Sequence, residues 1–175
     1  MSNYFIIPGL GNSGEAHWQT WFEQTLPACQ RINQKEWDAP ACMDWVNTLE
    51  SAISGYDPAT VVLIAHSLGC ATIAQWARSF PKIIKGAMLV APSDLEAPAY
   101  DFPAIGFAPI PLQRLPFRTI VVASDDDPWV CPERAKFFTS HWGGELIDIG
   151  AAGHINAASG YGPWPGGLDI LAKLG

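Results

Sequence analysis

Short β-branched runs alternate with stretches of helical period along this chain. Tyr4–Ile7 is an apolar run that ends at Pro8-Gly9. Glu15–Leu26 predicts a helix with Trp18, Trp21 or Phe22, and Leu26 on one face. Cys29–Asn33 predicts a short strand. Met43, Val46, Leu49 and Ile53 recur at helical spacing, and Gly55 closes that helix. Thr60–Ala65 is continuously apolar, as a strand buried on both faces should be. Gly69–Phe80 predicts a helix stopped by Pro81, and Ile83–Val90 and Thr119–Ala123 predict strands. Cys131–Ser140 predicts a helix, with Pro132 allowed in its first turn. Glu145–Ile149 predicts a strand and Gly167–Leu174 a closing helix.

Strands alternating with helices build βαβ units. The expected fold is α/β: about six mostly parallel strands in a doubly wound three-layer sandwich, one domain over residues 1–175. Right-handed crossovers bring every strand-to-helix loop to one sheet edge. Ligands of open α/β sheets bind there, outside the carboxyl ends of the strands. One segment breaks the rhythm. Pro92–Arg118 carries Pro92, Pro98, Pro103, Pro109, Pro111 and Pro116. Such a connection is either a lid or a surface excursion packed by Phe102, Phe107 and Phe117.

Composition narrows the partners. Seventeen Asp and Glu stand against ten Lys and Arg, a formal net charge of −7. That field opposes nucleic acid and an anionic membrane surface. Hydrophobic residues make up 49% and charged residues 15%, which argues for a packed core over disorder. The N-terminus has no basic region, and no apolar run approaches membrane-spanning length. Cys29, Cys42, Cys70 and Cys131 are isolated and read as reduced thiols. The expectation is a cytoplasmic protein, monomer or homodimer.

Chemistry enters at Ala65-His66-Ser67-Leu68-Gly69, between a buried strand and an apolar helix. This is the context of a nucleophile elbow, usually G-x-S-x-G. The serine sits on a strained turn, so the positions two before and two after are pressed against crossing backbone and must be small. The helix behind Ser67 favours developing negative charge. The Leu68 N–H is placed as half of an oxyanion hole, and the Leu10 N–H as the other half. A bland alternative is a tight turn with Ser67 as N-cap.

A serine nucleophile needs a base, and the base an orienting acid, in the chain order Ser, acid, His. After the strand Thr119–Ala123 comes Ser124-Asp125-Asp126-Asp127-Pro128-Trp129. Asp127 is the candidate acid, with Asp126 as the alternative. After Glu145–Ile149 comes Gly150-Ala151-Ala152-Gly153-His154, which makes His154 the candidate base. His66 flanks the nucleophile and is expected to point away from the reaction centre. His17 is placed to line the pocket. Trp18, Trp129 and Trp164 are candidate pocket walls or core residues. No His/Cys set has metal-ligand spacing, so no metal or cofactor is expected.

Gly9-Leu10-Gly11-Asn12-Ser13-Gly14 also matches the dinucleotide fingerprint G-x-G-x-x-G, with Glu36 or Asp38 beyond it. That reading leaves Ser67, Asp127 and His154 unexplained, and the chain has no room for a second domain. A flexible glycine loop here also suits an oxyanion hole.

With these loops in place the chain resembles the small α/β-hydrolases related to retinoblastoma-binding protein nine, a serine hydrolase family. The matching residues are Pro8-Gly9 with His17-Trp18, Ala65-His66-Ser67-Leu68-Gly69, Asp126-Asp127-Pro128, Gly153-His154-Ile155-Asn156 and the tail Ser159–Pro165. The resemblance implies a compact fold that lacks the first two strands of larger hydrolases and has no separate cap. It also implies Ser67, Asp127 and His154 as a triad, in an esterase or peptidase. The chain departs from larger hydrolases at Ala65 and Cys70, where they carry glycine. The expected function is hydrolysis of a small ester or amide at a shallow site. A non-catalytic interaction module on the same fold is the competing reading.

Overall fold

The computed structural model describes residues Met1–Gly175. Six strands run parallel in one sheet: β1 (Asn3–Ile7), β2 (Cys29–Arg31), β3 (Val61–His66), β4 (Gly86–Val90), β5 (Arg118–Ala123) and β6 (Glu145–Asp148). Their spatial order is β2-β1-β3-β4-β5-β6. The order reverses at β1, so the crevice between the β1 and β3 loops is the topological switch point where such sheets bind ligands. Five helices cover the sheet: α1 (Trp18–Thr25), α2 (Cys42–Ile53), α3 (Leu68–Ser79), α4 (Pro132–Trp142) and α5 (Pro165–Ala172). No separate cap stands over the carboxyl edge.

Strand β3 shows why the pattern reads as it does. Its side chains alternate between two cores, Val61, Leu63 and Ala65 to one and Val62 and Ile64 to the other. Both faces are dry, so no polar residue interrupts the run. The larger core lies under α2, α3 and α4, and Trp45, Trp76 and Trp142 fill it. The smaller one lies under α1 and α5, around Trp18, Phe22 and Trp164.

Several boundaries differ from expectation for local reasons. Helix α1 starts at Trp18 rather than Glu15, because the His17 side chain caps it by accepting from the Gln19 N–H. Strand β4 starts at Gly86, and Ile83 before it is 74% exposed. β2 stops at Arg31, since an edge strand pairs on one side only. In α2 the inward face is Cys42, Trp45, Val46, Leu49 and Ile53, and Met43 turns to solvent.

The segment Pro92–Arg118 is tied to the body. Phe107, Ile110, Leu115 and Phe117 are buried in the larger core. Gln75 Nε2 donates to the Phe107 and Pro109 carbonyls at 2.7 and 3.1 Å. Trp142 Nε1 donates to the Pro111 carbonyl at 2.8 Å. Most of the segment is therefore a packed excursion, and only Ser93 and its Tyr100–Phe102 stretch reach the cavity at the carboxyl edge.

The tightest backbone contact is where α3 crosses the end of β1. A Cβ on Gly69 would lie 2.4 Å from the Ile7 carbonyl oxygen and 2.8 Å from that of Pro8. Both neighbours are backbone and cannot swing away. Gly69→Ala is expected to destabilise the protein by about 1–3 kcal/mol. The measurement is a lower urea midpoint at unchanged slope, and an unshifted midpoint would contradict this crossing.

Candidate active site

Ser67 sits between β3 and α3 with φ 55° and ψ −124°. That conformation is costly for a residue with a Cβ. It is held because the turn is compressed from two sides. Gly69 abuts β1, and a Cβ on Gly9 would come within 2.8 Å of the Ser67 Cβ. The Ser67 N–H is anchored on the Val90 carbonyl at 3.0 Å.

At the sheet edge the Ser67 Oγ lies 2.9 Å from His154 Nε2. His154 Nδ1 lies 2.9 Å from each oxygen of Asp127. The Asp127 side chain is fully buried and also accepts from the Trp129 N–H at 2.9 Å. Three residues from three loops thus form one hydrogen-bonded line, and Asp127 rather than Asp126 is the acid in it. Asp126 is exposed and does something else. It accepts from the Gly153 N–H at 2.7 Å and from Ser124 Oγ at 2.8 Å. Those bonds, the Gly153 amide first, hold its carboxyl below the usual carboxylate range. They also fasten the loop that carries His154. Asp125 points at Asp148, whose charge raises its pKa.

Ser93, which the sequence reasoning missed, lies 2.9 Å from the Ser67 hydroxyl. A hydroxyl has one proton to donate. When Ser67 donates to His154, Ser93 must donate to Ser67. Ser93 lies three residues past the end of β4, so the same sheet-edge rule that selected Asp127 and His154 would have found it.

Two backbone amides near the serine lack partners within the protein, one on Leu68, which follows it, and one on Leu10, which lines the same cavity. Leu68 heads α3, so its N–H has no acceptor within the helix. The Leu10 N–H makes no hydrogen bond within the protein. Its loop is held from below. The buried Gln19 donates to the Ile7 and Ile64 carbonyls at 3.2 Å and accepts from Ser13 Oγ at 2.6 Å. Arg31 donates to the Asn12 side chain at 2.8 Å and to the Ser13 carbonyl. The glycine loop is therefore packed around the serine turn, while α1 begins beyond it under its own histidine cap. A dinucleotide fingerprint would instead open the helix directly and leave its N-terminus free for pyrophosphate.

A cavity of about 210 Å³ opens over Ser67. Its lining combines polar groups on Asn12, His17, His66, Ser93 and Asn156 with the aromatic rings of Tyr100, Phe102 and Trp129, and the Gly9-Leu10 backbone borders it. Of the four predicted wall residues, His17 and Trp129 are here. Trp18 and Trp164 are not. They pack edge to face in the smaller core, centroids 5.2 Å apart, and Trp18 Nε1 donates to the Ile155 carbonyl. For Trp18 the reason is local geometry, since it follows the pocket-lining cap residue His17 and successive residues at a helix start face different ways.

His66 also differs from expectation. Its ring packs 4.8 Å from both His17 and His154, centroid to centroid. Its Nε2 donates to the His154 carbonyl at 2.8 Å, because a carbonyl only accepts. Burial drives its pKa well below the ordinary histidine value, helped by the neighbouring His154 and His17. Burial likewise pushes His17 down to about 4, with Arg31 and His154 adding to it. His17 Nδ1 accepts from the Gln19 N–H, so its hydrogen is on Nε2.

Comparison with known proteins agrees with this geometry. A profile described as serine hydrolase matches residues 4–173. A YdeN-like hydrolase from Pectobacterium atrosepticum is 34% identical, with 99% of this chain and 90% of that chain covered and a TM-score of 0.87. The ydeN product of B. subtilis shares 22% identity over 99% and 98% of the chains, with a TM-score of 0.87. Est1E from Butyrivibrio proteoclasticus, solved with ferulic acid bound, shares 14% identity over 99% and 86%, with a TM-score of 0.69. These last two show the fold. No curated protein sequence matches the chain.

The two neutral histidines make stability depend on pH. Their folded pKa values lie below the unfolded value of 6.5. The unfolded chain takes up protons first as pH falls, so stability is full above pH 6.5 and is lost toward pH 4. With two such groups the loss is expected to approach about 2–3 kcal/mol per pH unit near pH 5. His17→Asn, which keeps an N-cap acceptor, should roughly halve that slope in urea unfolding at several pH values. An unchanged slope would show that His17 is protonated in the fold.

Proposed function

The chain belongs to the serine hydrolase family, and from that premise we propose that it cleaves a small ester or amide through an acyl-enzyme on Ser67, with no cofactor. The observation that supports this most is the continuous line from Ser67 Oγ through His154 to the buried Asp127. In this reading Ser67 Oγ attacks the substrate carbonyl carbon while His154 Nε2 takes its proton. The Leu10 and Leu68 amides hold the oxyanion. The tetrahedral intermediate collapses as His154 returns the proton to the leaving alcohol or amine. Water then repeats the sequence and frees Ser67. Asp127 keeps the His154 hydrogen on Nδ1 and stabilises the imidazolium. Ser93 donates to Ser67 Oγ and so favours its developing negative charge.

The finer assignments follow from the same site. The resemblance to the relatives of retinoblastoma-binding protein nine supports a compact esterase or peptidase. A cavity of about 210 Å³ is below the range of pockets for drug-sized ligands, which favours a short substrate. The ferulic acid bound to Est1E shows a carboxylic acid in a fold-mate and supports the esterase side of the choice. No helix is long and apolar enough to cross a membrane. Four unpaired cysteines support a reducing, cytoplasmic setting, and the substrate, rather than a nucleic acid or membrane, is the proposed partner.

A fluorophosphonate probe is expected to label the protein at Ser67, and short p-nitrophenyl esters should be hydrolysed. Ser67→Ala should lose both activities. Asp127→Asn should lower kcat by about 10³–10⁴-fold through the wrong histidine tautomer. Neither labelling nor hydrolysis in the parent protein would sink the enzyme reading and favour an interaction module.

Ser93→Ala removes one hydrogen bond to the reacting oxygen. It should lower kcat by about tenfold, with little change in KM. A rise in KM at constant kcat would instead make Ser93 a ground-state binding residue.

A further inference from the structure

A second cavity, about 140 Å³, lies behind the aromatic wall of the first. Ala97, Ala99, Pro128, Val130 and Cys131 line it, so its surface is largely apolar. Asp94 is also present, but Arg134 holds both of its carboxylate oxygens at 2.8 and 2.9 Å. Tyr100 and Trp129 line both cavities. They are the partition between the two spaces.

The partition is made of side chains on a fixed backbone. The Trp129 N–H is bound by Asp127, and its carbonyl accepts from the Asp94 N–H at 2.9 Å. The Trp129 ring stands edge-on to Phe102 at 5.0 Å and to Tyr100 at 6.4 Å. Burial raises the Tyr100 phenol to about 12, so it stays neutral and brings no charge to the wall. Cutting back either ring is expected to join the two spaces while the backbone bonds that hold Trp129 remain.

Substrate polarity assigns a side to each part of an ester. The leaving group takes its proton from His154 Nε2, so it is assigned to the polar lining groups, His154, His17 and Asn156. The acyl group is then assigned to the aromatic lining formed by Tyr100, Phe102 and Trp129. We infer that Tyr100 and Trp129 set acyl-chain length, closing the site to long chains and leaving an apolar chamber behind them for a chain that passes. This rests on the acyl-enzyme reading above. A hydrophobic pocket discriminates by about 10–200-fold per added or missing group, which sets the scale of the effect.

The test is kcat/KM for p-nitrophenyl acetate, butyrate and octanoate with the full chain and its variants. The parent should prefer acetate and butyrate over octanoate. Trp129→Ala and Tyr100→Ala should each raise the octanoate-to-acetate ratio by about 10–100-fold. Ala97→Phe added to Trp129→Ala refills the rear chamber and should return the ratio toward the parent value. If Trp129→Ala does not fold, as judged by its melting curve, Tyr100→Ala carries the test. A ratio within about twofold of the parent in the folded truncations overturns the inference while the hydrolase reading stands, as does a parent that already favours octanoate. Failure of the parent to hydrolyse any ester or to be labelled at Ser67 overturns both.

Discussion

The crossing of α3 over the end of β1 governs the rest of the molecule. Backbone meets backbone there, with Gly69 against the Ile7 and Pro8 carbonyls. The only slack is the absent Cβ. Because α3 is pressed so close, the turn before it must reverse sharply, and Ser67 is driven to positive φ. The same compression puts Gly9 against the serine and brings the glycine loop within reach of the Ser67 hydroxyl. The strain is stored at Ser67 and is held by the surrounding packing.

Around that turn the electrostatics are arranged by burial more than by charge. Three histidine rings stand in a row, and the one carboxylate that touches them is Asp127. His17 and His66 are kept neutral, so they add hydrogen-bond direction without repelling an imidazolium on His154. His66 holds the His154 backbone, and Asp126 holds the loop just before it. His154 is thus fixed from three sides. The overall charge of −7 has a local counterpart here, since Asp125, Asp126 and Asp127 share one loop and take three different roles.

The proline-rich segment explains the size of the site. Its second half is spent on the core, through Phe107, Ile110, Leu115 and Phe117. Gln75 and Trp142 tie down its carbonyls. What remains for the carboxyl edge is Ser93 and a short aromatic wall. Arg134 then clips the start of the segment to α4 through Asp94 and Glu96. A single rigid wall suits a small open cavity better than a large enclosed one.

The sequence alone determined the parallel α/β sheet, since continuous apolar runs such as Val61–Ala65 have no other stable place than between two layers of helix. It also pointed to Ser67, Asp127 and His154, because chain order and loop position limit where hydrolase side chains can stand. Only the tertiary structure separated Asp127 from Asp126. Their difference is which one is buried against the histidine ring, and adjacent residues of a loop carry no period that reveals it. The same holds for Trp18, which follows the cap residue His17 and is turned into the core at the start of α1. Gln19 and the direction of His66 were hidden for a related reason. Each works through a partner distant in the chain, and single polar residues leave no pattern until packing brings those partners together.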